Sequence, residues 1–256
     1  MCELLGMTAN VPTDICFSFT GLIQRSGITA AHRDGWGITF YEGKGSRTFK
    51  DANPGVKSEI AQLVKNYPIK SCQVISHIRK ANRGKIALEN THPFQREMWG
   101  KNWTFAHNGQ LKAVKKRRLQ HFHPVGTTDS EHAFCWLLDQ LHKKFRRYPT
   151  NPDRLNEEIV NFCKSLGRTG VFNVLLGDGT RLYAFCTKNL YWITRKAPFG
   201  KARLIDKEVS IDFKKVTTKK DIVTVIASRP LTNNEEWTKM DAQKLYVFEK
   251  GVLLNS

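Results

Sequence analysis

The sequence predicts an α+β fold in which packed β-sheets are covered by a few helices. Strand-like segments fall into two groups, one in each half of the 256-residue chain, and helical segments lie between them. Hairpin patterns occur in both halves. Hydrophobic residues make up 40% of the chain and aromatic residues 11%, which is enough for a large core. Because no linker, repeat or low-complexity tract divides the chain, we expect a single domain over residues 2–256.

The N-terminal half predicts strands and helices from its apolar periodicity. Residues 1–9 are apolar and alternate weakly, as in a buried strand, whereas residues 14–25 carry apolar side chains at helical spacing. Turn-forming residues 42–45 separate two strand-like runs, and Pro68 stops a second helix. The predicted elements are, in order, a strand at 1–9, a helix at 14–25, a hairpin at 36–50, a helix at 57–67, and strands at 73–78 and 102–106.

The C-terminal half begins with helices and continues as strands. Thr128 has the pattern of an N-cap, and Glu131 is positioned to complete a capping box with it. A further helix is predicted at 153–166. After Gly170 the pattern becomes β, and the predicted strands lie at 171–176, 181–185, 190–194, 221–228, 244–248 and 251–254.

Charge and cysteine content limit the class of protein. Lys and Arg number 41 against 23 Asp and Glu, a formal net charge of +18 that favours contact with polyanions. No nucleic-acid motif accompanies this charge, so we favour a solvated basic surface over nucleic-acid binding. The six cysteines are scattered without a CxxC pair, and no signal peptide or membrane-spanning stretch is evident. These features predict a cytoplasmic protein.

Cys2 is a candidate nucleophile. Removal of Met1, which is efficient before small side chains, would leave Cys2 with a thiol and a free α-amine. The reference pKa of an α-amine is about 7.7 to 8.0, so this amine can accept the thiol proton near neutral pH. Taken alone, however, Cys2 is more simply a small buried residue of the first strand.

The run His107-Asn108-Gly109, which follows the strand at 102–106, can supply an oxyanion hole. Attack of a thiolate on an amide forms a tetrahedral oxyanion, which requires hydrogen-bond donors aimed at the developing charge. The Asn108 carboxamide and the Gly109 backbone N–H are such donors, and the lack of a Cβ at Gly109 permits close approach. An ordinary Asn-Gly turn is the competing interpretation.

Three further residues could recognise the two charged ends of a glutamyl group. Arg79 follows a predicted strand and can form a bidentate contact with an α-carboxylate, with a hydrogen bond added by Asn82. Asp129, in the first turn of the capped helix, can face an α-ammonium group. The alternatives are a surface arginine and an aspartate that complements the helix dipole.

Six short motifs, taken together and in order, favour the functional interpretations of these residues over the alternatives. An initial MC is followed by DGWG, HIRKAN, THPF, HNG and TDSE, and together they resemble the class II glutamine amidotransferases, in particular the stand-alone YafJ-like type. The resemblance is strong from Cys2 to Glu131. It implies the four-layer αββα sandwich of the N-terminal-nucleophile hydrolases, with two packed, mainly antiparallel sheets. It also implies that Cys2 is the nucleophile, Asn108 and Gly109 the oxyanion hole, and Arg79 and Asp129 the substrate clamps.

Several residues depart from the family pattern or have less defined roles. Lys80-Ala81-Asn82 stands where many members have Trp-Ala-Thr, and Asn82 can replace the threonine hydroxyl. Arg33 is displaced from the register of the family arginine but remains a candidate substrate-binding residue. His92 in THPF is a candidate contact to substrate, with a structural turn as the alternative. His121 and His123 lack a third metal ligand, so we expect a surface loop there.

The resemblance implies hydrolysis of L-glutamine to glutamate and ammonia through a Cys2 γ-glutamyl thioester. The DGWG motif resembles that of short relatives that cleave γ-glutamyl bonds, so another γ-glutamyl amide or peptide is an alternative substrate. The reaction implies no metal or organic cofactor. A separate synthase is one acceptor for the ammonia. From a different class of function, a basic polyanion-binding or partner-binding protein without turnover stays open.

Overall fold

The computed structural model describes residues 2–81 and 84–255 of the chain. Met1, whose removal the sequence predicts, and Asn82, a predicted substrate-binding residue, lie outside the described residues. The described part of the chain contains fifteen strands and four α-helices. The helices are α1 (Cys16–Gln24), α2 (Glu59–Asn66), α3 (Asp129–Lys144) and α4 (Pro152–Gly167). The strands are β1 (Glu3–Thr13), β2 (Trp36–Glu42), β3 (Gly45–Asp51), β4 (Ser71–Ile78), β5 (Phe94–Met98), β6 (Lys101–Leu111), β7 (Gly170–Gly177), β8 (Arg181–Phe185), β9 (Tyr191–Lys196), β10 (Lys201–Arg203), β11 (Ser210–Asp212), β12 (Ile222–Ala227), β13 (Thr238–Lys239), β14 (Leu245–Glu249) and β15 (Val252–Asn255).

Two antiparallel sheets form the centre of the molecule. The first has seven strands in the order β13-β9-β12-β1-β4-β2-β3, and the second has six in the order β15-β14-β8-β7-β6-β5. Strands β10 and β11 form a separate two-stranded sheet. Both large sheets combine strands from the two halves of the chain, so neither sheet is complete without the C-terminal segment.

The sheets pack face to face, and each is covered on its outer face by two helices. Leu4 of β1 and Leu175 of β7 belong to the apolar layer between the sheets. Successive side chains of a strand point to opposite faces, and Leu5 therefore belongs instead to the cluster formed with α1 and α2. Helices α3 and α4 pack on the other sheet through a third cluster. The result is the predicted four-layer αββα sandwich, and the apolar run of β1 reflects burial on both of its faces.

The predicted helices and the principal strands are present, with shifts of a few residues at their ends. Two details of the prediction are wrong. His107-Asn108-Gly109 lies inside β6 rather than after a strand, because β7 pairs with β6 through Leu111. The capping box is only half formed: Thr128 Oγ1 accepts from the Glu131 N–H at 3.1 Å, but the Glu131 carboxylate accepts from the N–H groups of Val125 and Gly126.

The antiparallel pairing of β1 with β4 brings distant parts of the sequence to one end of the sheets. Glu3 lies opposite Ile78, so Cys2 is adjacent to the segment that follows β4. On the other side of β1, Leu5 lies opposite Ala227 of β12. Cys2 therefore lies at the end of a central strand, between neighbours that come from positions near 78 and near 228 in the sequence.

Candidate active site

The thiol of Cys2 is held against the backbone of Lys80. The Lys80 N–H donates to Cys2 Sγ at 3.2 Å, and Sγ lies 3.5 Å from the Lys80 carbonyl oxygen. Cys2 is half-buried. Burial raises the pKa of its thiol above the ordinary value, and the Lys80 N–H and the charge of Arg79 oppose this shift in part. The thiol is therefore protonated at neutral pH unless a base removes its proton.

Asn108 and Gly109 lie beside Cys2 on β6. The Asn108 carboxamide donates to the Cys2 carbonyl oxygen and, at 3.2 Å, to Ser228 Oγ. A Cβ at position 109 would collide with the Val171 carbonyl oxygen and lie 2.7 Å from His107 Nε2. Glycine is therefore required by the pairing of β6 with β7, in addition to any role in close approach of a substrate.

Arg79 is buried but is not neutralised by a carboxylate within the described residues. Its side chain donates to the carbonyl oxygens of Asp34 and Lys85 at 3.4 and 3.2 Å, and only 4% of the residue is exposed. A buried cation that has only backbone acceptors retains much of its desolvation cost. Arg79 is therefore suited to bind an anion that enters the site.

Asp129 begins helix α3 with its carboxylate fixed by backbone donors. Oδ2 accepts from the Leu111 N–H at 2.7 Å and Oδ1 from the Ser130 N–H at 2.9 Å. Asp129 is half-buried and takes part in no ion pair among the described residues. The carboxylate is therefore held in one position and has no cationic partner among the described residues, so it can bind an ammonium group.

A cavity of about 330 Å³ joins these residues, and we call it the glutamyl cavity. It is lined by five of the predicted site residues, which are Cys2, Arg79, His92, Gly109 and Asp129. A cation and an anion lie in its wall together with the thiol, so an amino acid zwitterion can be held with its side chain directed at sulfur. These residues come from separate motifs along the sequence, and in the structure they line one cavity.

His92 belongs to a buried group of histidines beneath this cavity. Its ring centroid lies 4.2 Å from that of His77 and 4.3 Å from that of Phe94. Burial lowers the pKa of His77 to about 3 and that of His92 well below its ordinary value. Both rings are therefore neutral at pH 7, and neither adds a positive charge to the cavity.

Arg33 is not among the residues that line the glutamyl cavity. It is exposed on the loop before β2, and its side chain approaches Gly27. The neighbouring Asp34 has a structural contact instead, because its Oδ2 accepts from the Ala81 N–H at 2.7 Å. This bond ties the loop before β2 to the segment that carries Arg79 and Lys80.

The expected surface position of His121 and His123 is confirmed, since both are exposed. His121 packs against His142, with ring centroids 4.6 Å apart. Within residues 2–81 and 84–255, no group of three or more His, Cys, Asp or Glu side chains is arranged to hold a metal ion.

Two contacts at the site were not predicted from the sequence. Lys80 acts through its backbone N–H, so its side-chain type gave no signal. Ser228 accepts from the Leu4 N–H at 2.9 Å and from Asn108, although it lies 224 positions after Leu4. The only sequence signal for Ser228 was its place at the end of a predicted apolar strand.

None of the helices within the described residues combines the length and hydropathy needed to cross a bilayer.

The chain is 61% identical over 240 residues to YafJ of Escherichia coli strain K12, and the alignment covers 94% of each protein. A crystal structure of a predicted glutamine amidotransferase from Pseudomonas aeruginosa superposes with a TM-score of 0.79 at 46% identity over all of both chains. A glutamine phosphoribosylpyrophosphate amidotransferase from B. subtilis shares the fold, with a TM-score of 0.61 at 16% identity over 98% of this chain and 48% of that one.

The family model of the class II glutamine amidotransferases matches residues 1–256. The match agrees with the αββα sandwich and with the motif order from which the resemblance was inferred. The chain belongs to the class II glutamine amidotransferase family.

Proposed function

We propose that the chain is a single-domain amidohydrolase over residues 2–256 that cleaves L-glutamine to glutamate and ammonia. The observation that carries the proposal is the glutamyl cavity, in whose lining Arg79, a buried cation that pairs with no carboxylate among the described residues, occurs together with a fixed carboxylate and a thiol. Arg79 binds the α-carboxylate and Asp129 the α-ammonium group of the substrate. The side-chain amide then extends to Cys2.

The reaction begins when the α-amine of Cys2, free after removal of Met1, takes the thiol proton. The sulfur forms a bond to the δ-carbon, and the negative charge on oxygen is stabilised by the Asn108 carboxamide and the Gly109 N–H. The Asn108 NH₂ group donates to the Cys2 carbonyl oxygen and to Ser228 Oγ in the structure, so one of these two bonds is exchanged for the bond to the oxyanion. The carbon–nitrogen bond then breaks, and nitrogen takes the proton and leaves as ammonia. Water adds to the γ-glutamyl thioester, which releases glutamate and restores the thiol.

The raised pKa of the thiol supports a need for this base. Without a base, a buried thiol with a pKa above its ordinary value supplies little thiolate at pH 7. The amine has a reference pKa of about 7.7 to 8.0, which suits proton exchange near neutral pH.

The ammonia is released to solvent or passed to a separate synthase. The hydrolysis of glutamine at Cys2 is the same in both cases.

The test is a glutaminase assay on purified protein whose N-terminus has been checked by intact mass. We expect wild type lacking Met1 to release glutamate and ammonia in equal amounts, and Cys2→Ala to lose activity by at least about 10³-fold, as for removal of a covalent nucleophile. Cys72→Ala is the matched control, because Cys72 is exposed on β4 and should retain full activity. Equal activity of Cys2→Ala and wild type would exclude the proposed nucleophile.

A further inference from the structure

A second cavity of about 330 Å³ lies beside the candidate nucleophile, and we call it the distal cavity. Cys2 and Lys80 line both cavities, so the two spaces adjoin at these residues. Gly109 lines the glutamyl cavity, whereas Asn108 lines the distal one. The two predicted oxyanion donors therefore mark the boundary between the two cavities.

The position of this boundary determines where the parts of a bound amide point. The carbonyl carbon of an amide is planar, and its carbon and nitrogen substituents leave it in different directions. If the oxygen is bound by Asn108 and Gly109 and the glutamyl chain fills the glutamyl cavity, the nitrogen substituent points into the distal cavity. Ammonia needs no such space, whereas a cavity of this size accommodates a larger leaving group.

The distal cavity has several polar side chains in its wall, and its charged residues carry an excess of positive charge. Asn108, Asn173 and Ser228 line it together with the cations Lys80 and Arg229. The Glu3 carboxylate also lines it, but Glu3 is buried and already paired with two guanidinium groups, those of Arg25 at 3.1 Å and Arg229 at 2.8 Å.

Arg229 can accept a second anion. Its side chain is 55% exposed, while its contacts to Glu3 use Nε and Nη2. The remaining N–H groups of a guanidinium fork can bind another carboxylate. Lys80 lies at the junction of the two cavities and adds a further positive charge. A leaving group that carries a carboxylate is therefore complementary to the distal cavity.

We propose that the distal cavity binds the leaving group of γ-glutamyl α-amino acids, with the leaving-group carboxylate at Arg229. This inference rests on the proposed function and extends its substrate class from glutamine to γ-glutamyl dipeptides. The sulfur of Cys2 bonds to the δ-carbon, and the bond from that carbon to the peptide nitrogen breaks. The nitrogen takes the thiol proton, an α-amino acid leaves, and water hydrolyses the thioester to glutamate.

The experiment compares glutamine, γ-glutamylglycine and γ-glutamylethylamide. The last two share the glutamyl group and differ in the leaving-group carboxylate. In wild type, we expect kcat/KM for γ-glutamylglycine to exceed that for γ-glutamylethylamide by about fivefold, the size of a half-exposed ion pair. Arg229→Ala should remove this difference, and Arg229→Lys should retain part of it.

Two other variants separate a binding role of the cavity from a general effect on the protein. Arg47→Ala is the matched control, because Arg47 is 51% exposed, is paired with Glu42 and lines neither cavity. This control should leave the ratio between the two extended substrates unchanged. Ala31→Trp puts a large ring at a residue that lines the distal cavity. It should lower kcat/KM for both extended compounds relative to glutamine by at least tenfold.

Three results would overturn the inference. If glutamine is cleaved but γ-glutamylglycine is not, the distal cavity does not accept this leaving group, and the proposed function stands. If the two extended substrates react equally well in wild type, the carboxylate is not recognised. If wild type cleaves none of the three compounds, the proposed function fails and the inference fails with it.

Discussion

Replacement of Arg79 by methionine should abolish activity without destabilising the protein. Arg79 has 4% exposure, and within the described residues its guanidinium donates only to two backbone carbonyl oxygens, at 3.4 and 3.2 Å. Each of these bonds contributes about 1 kcal/mol to stability, whereas burial of an unpaired ion costs several kcal/mol. Methionine has a similar length and no charge, so we expect the free energy of unfolding to stay the same or rise by up to about 2 kcal/mol.

The expected loss of activity follows from the contacts that the guanidinium would make to substrate. A bidentate contact to an α-carboxylate comprises two charge-assisted hydrogen bonds, each worth about 1.5–3 kcal/mol. Loss of about 4 kcal/mol corresponds to a decrease in kcat/KM of about 10³-fold. The measurements are a glutaminase assay at subsaturating glutamine and urea denaturation followed by fluorescence.

Arg25→Met is the matched control for this experiment. Arg25 is equally buried, with 2% exposure, but it is paired with Glu3 at 3.1 Å and Asp206 at 2.8 Å. Its removal leaves buried carboxylates without that partner and should cost about 3–5 kcal/mol, or roughly 10 °C in Tm. The reasoning would be refuted if Arg79→Met were destabilised as much as Arg25→Met, or if it kept wild-type kcat/KM.

Three further substitutions test other parts of the site. Asp129→Asn removes the charge that faces the substrate ammonium and should raise KM for glutamine about 30-fold. The control is Asp221→Asn, because Asp221 does not line the glutamyl cavity; an unchanged KM for Asp129→Asn would contradict this role. Gly109→Ala should destabilise the protein by at least about 3 kcal/mol in denaturant titration, because its Cβ collides with the Val171 backbone, whereas Gly200→Ala meets no atom within 4 Å and should be neutral. His77→Phe should weaken the acid sensitivity of stability, because His77 is neutral in the folded state with a pKa of about 3 and gains a proton on unfolding below about pH 6.5. The stability of wild type therefore falls as the pH drops from about 6.5 towards 3. Over that window the free energy of unfolding of the variant should fall less steeply than that of wild type, by about 1.4 kcal/mol per pH unit. Equal pH slopes of the two proteins in urea titrations would exclude this contribution.

The sequence was a good guide to those parts of the site that follow from local pattern and motif order. The strand before Arg79 and the helix after Thr128 were predicted from periodicity and a cap, and both carry their motif residues into the glutamyl cavity. The site contacts of Ser228 were not predictable in the same way. They depend on the register between β1 and β12, which no local pattern specifies.

Two details of the prediction were wrong because tertiary contacts override a local sequence pattern. Gly109 in an Asn-Gly pair indicated the end of a strand, but pairing with β7 continues through it and overrides the turn propensity. Glu131 was expected to cap its own helix, yet it is buried beside Arg96 at 2.6 Å and bonds to the preceding loop. Arg33, proposed from a displaced match to the family arginine, stays a prediction; it does not line the glutamyl cavity.

The position of β1 between β4 and β12 has a consequence for the order in which the enzyme matures. Cys2 is synthesised long before the strand that completes its surroundings, which begins at Ile222. The segment around Cys2 is therefore accessible before β12 pairs with β1. Ser228 and Arg229 follow β12 in the sequence and join the site at the same late stage. In the proposed mechanism, methionine removal can therefore precede enclosure of Cys2, which separates processing of the terminus from assembly of the cavities around it.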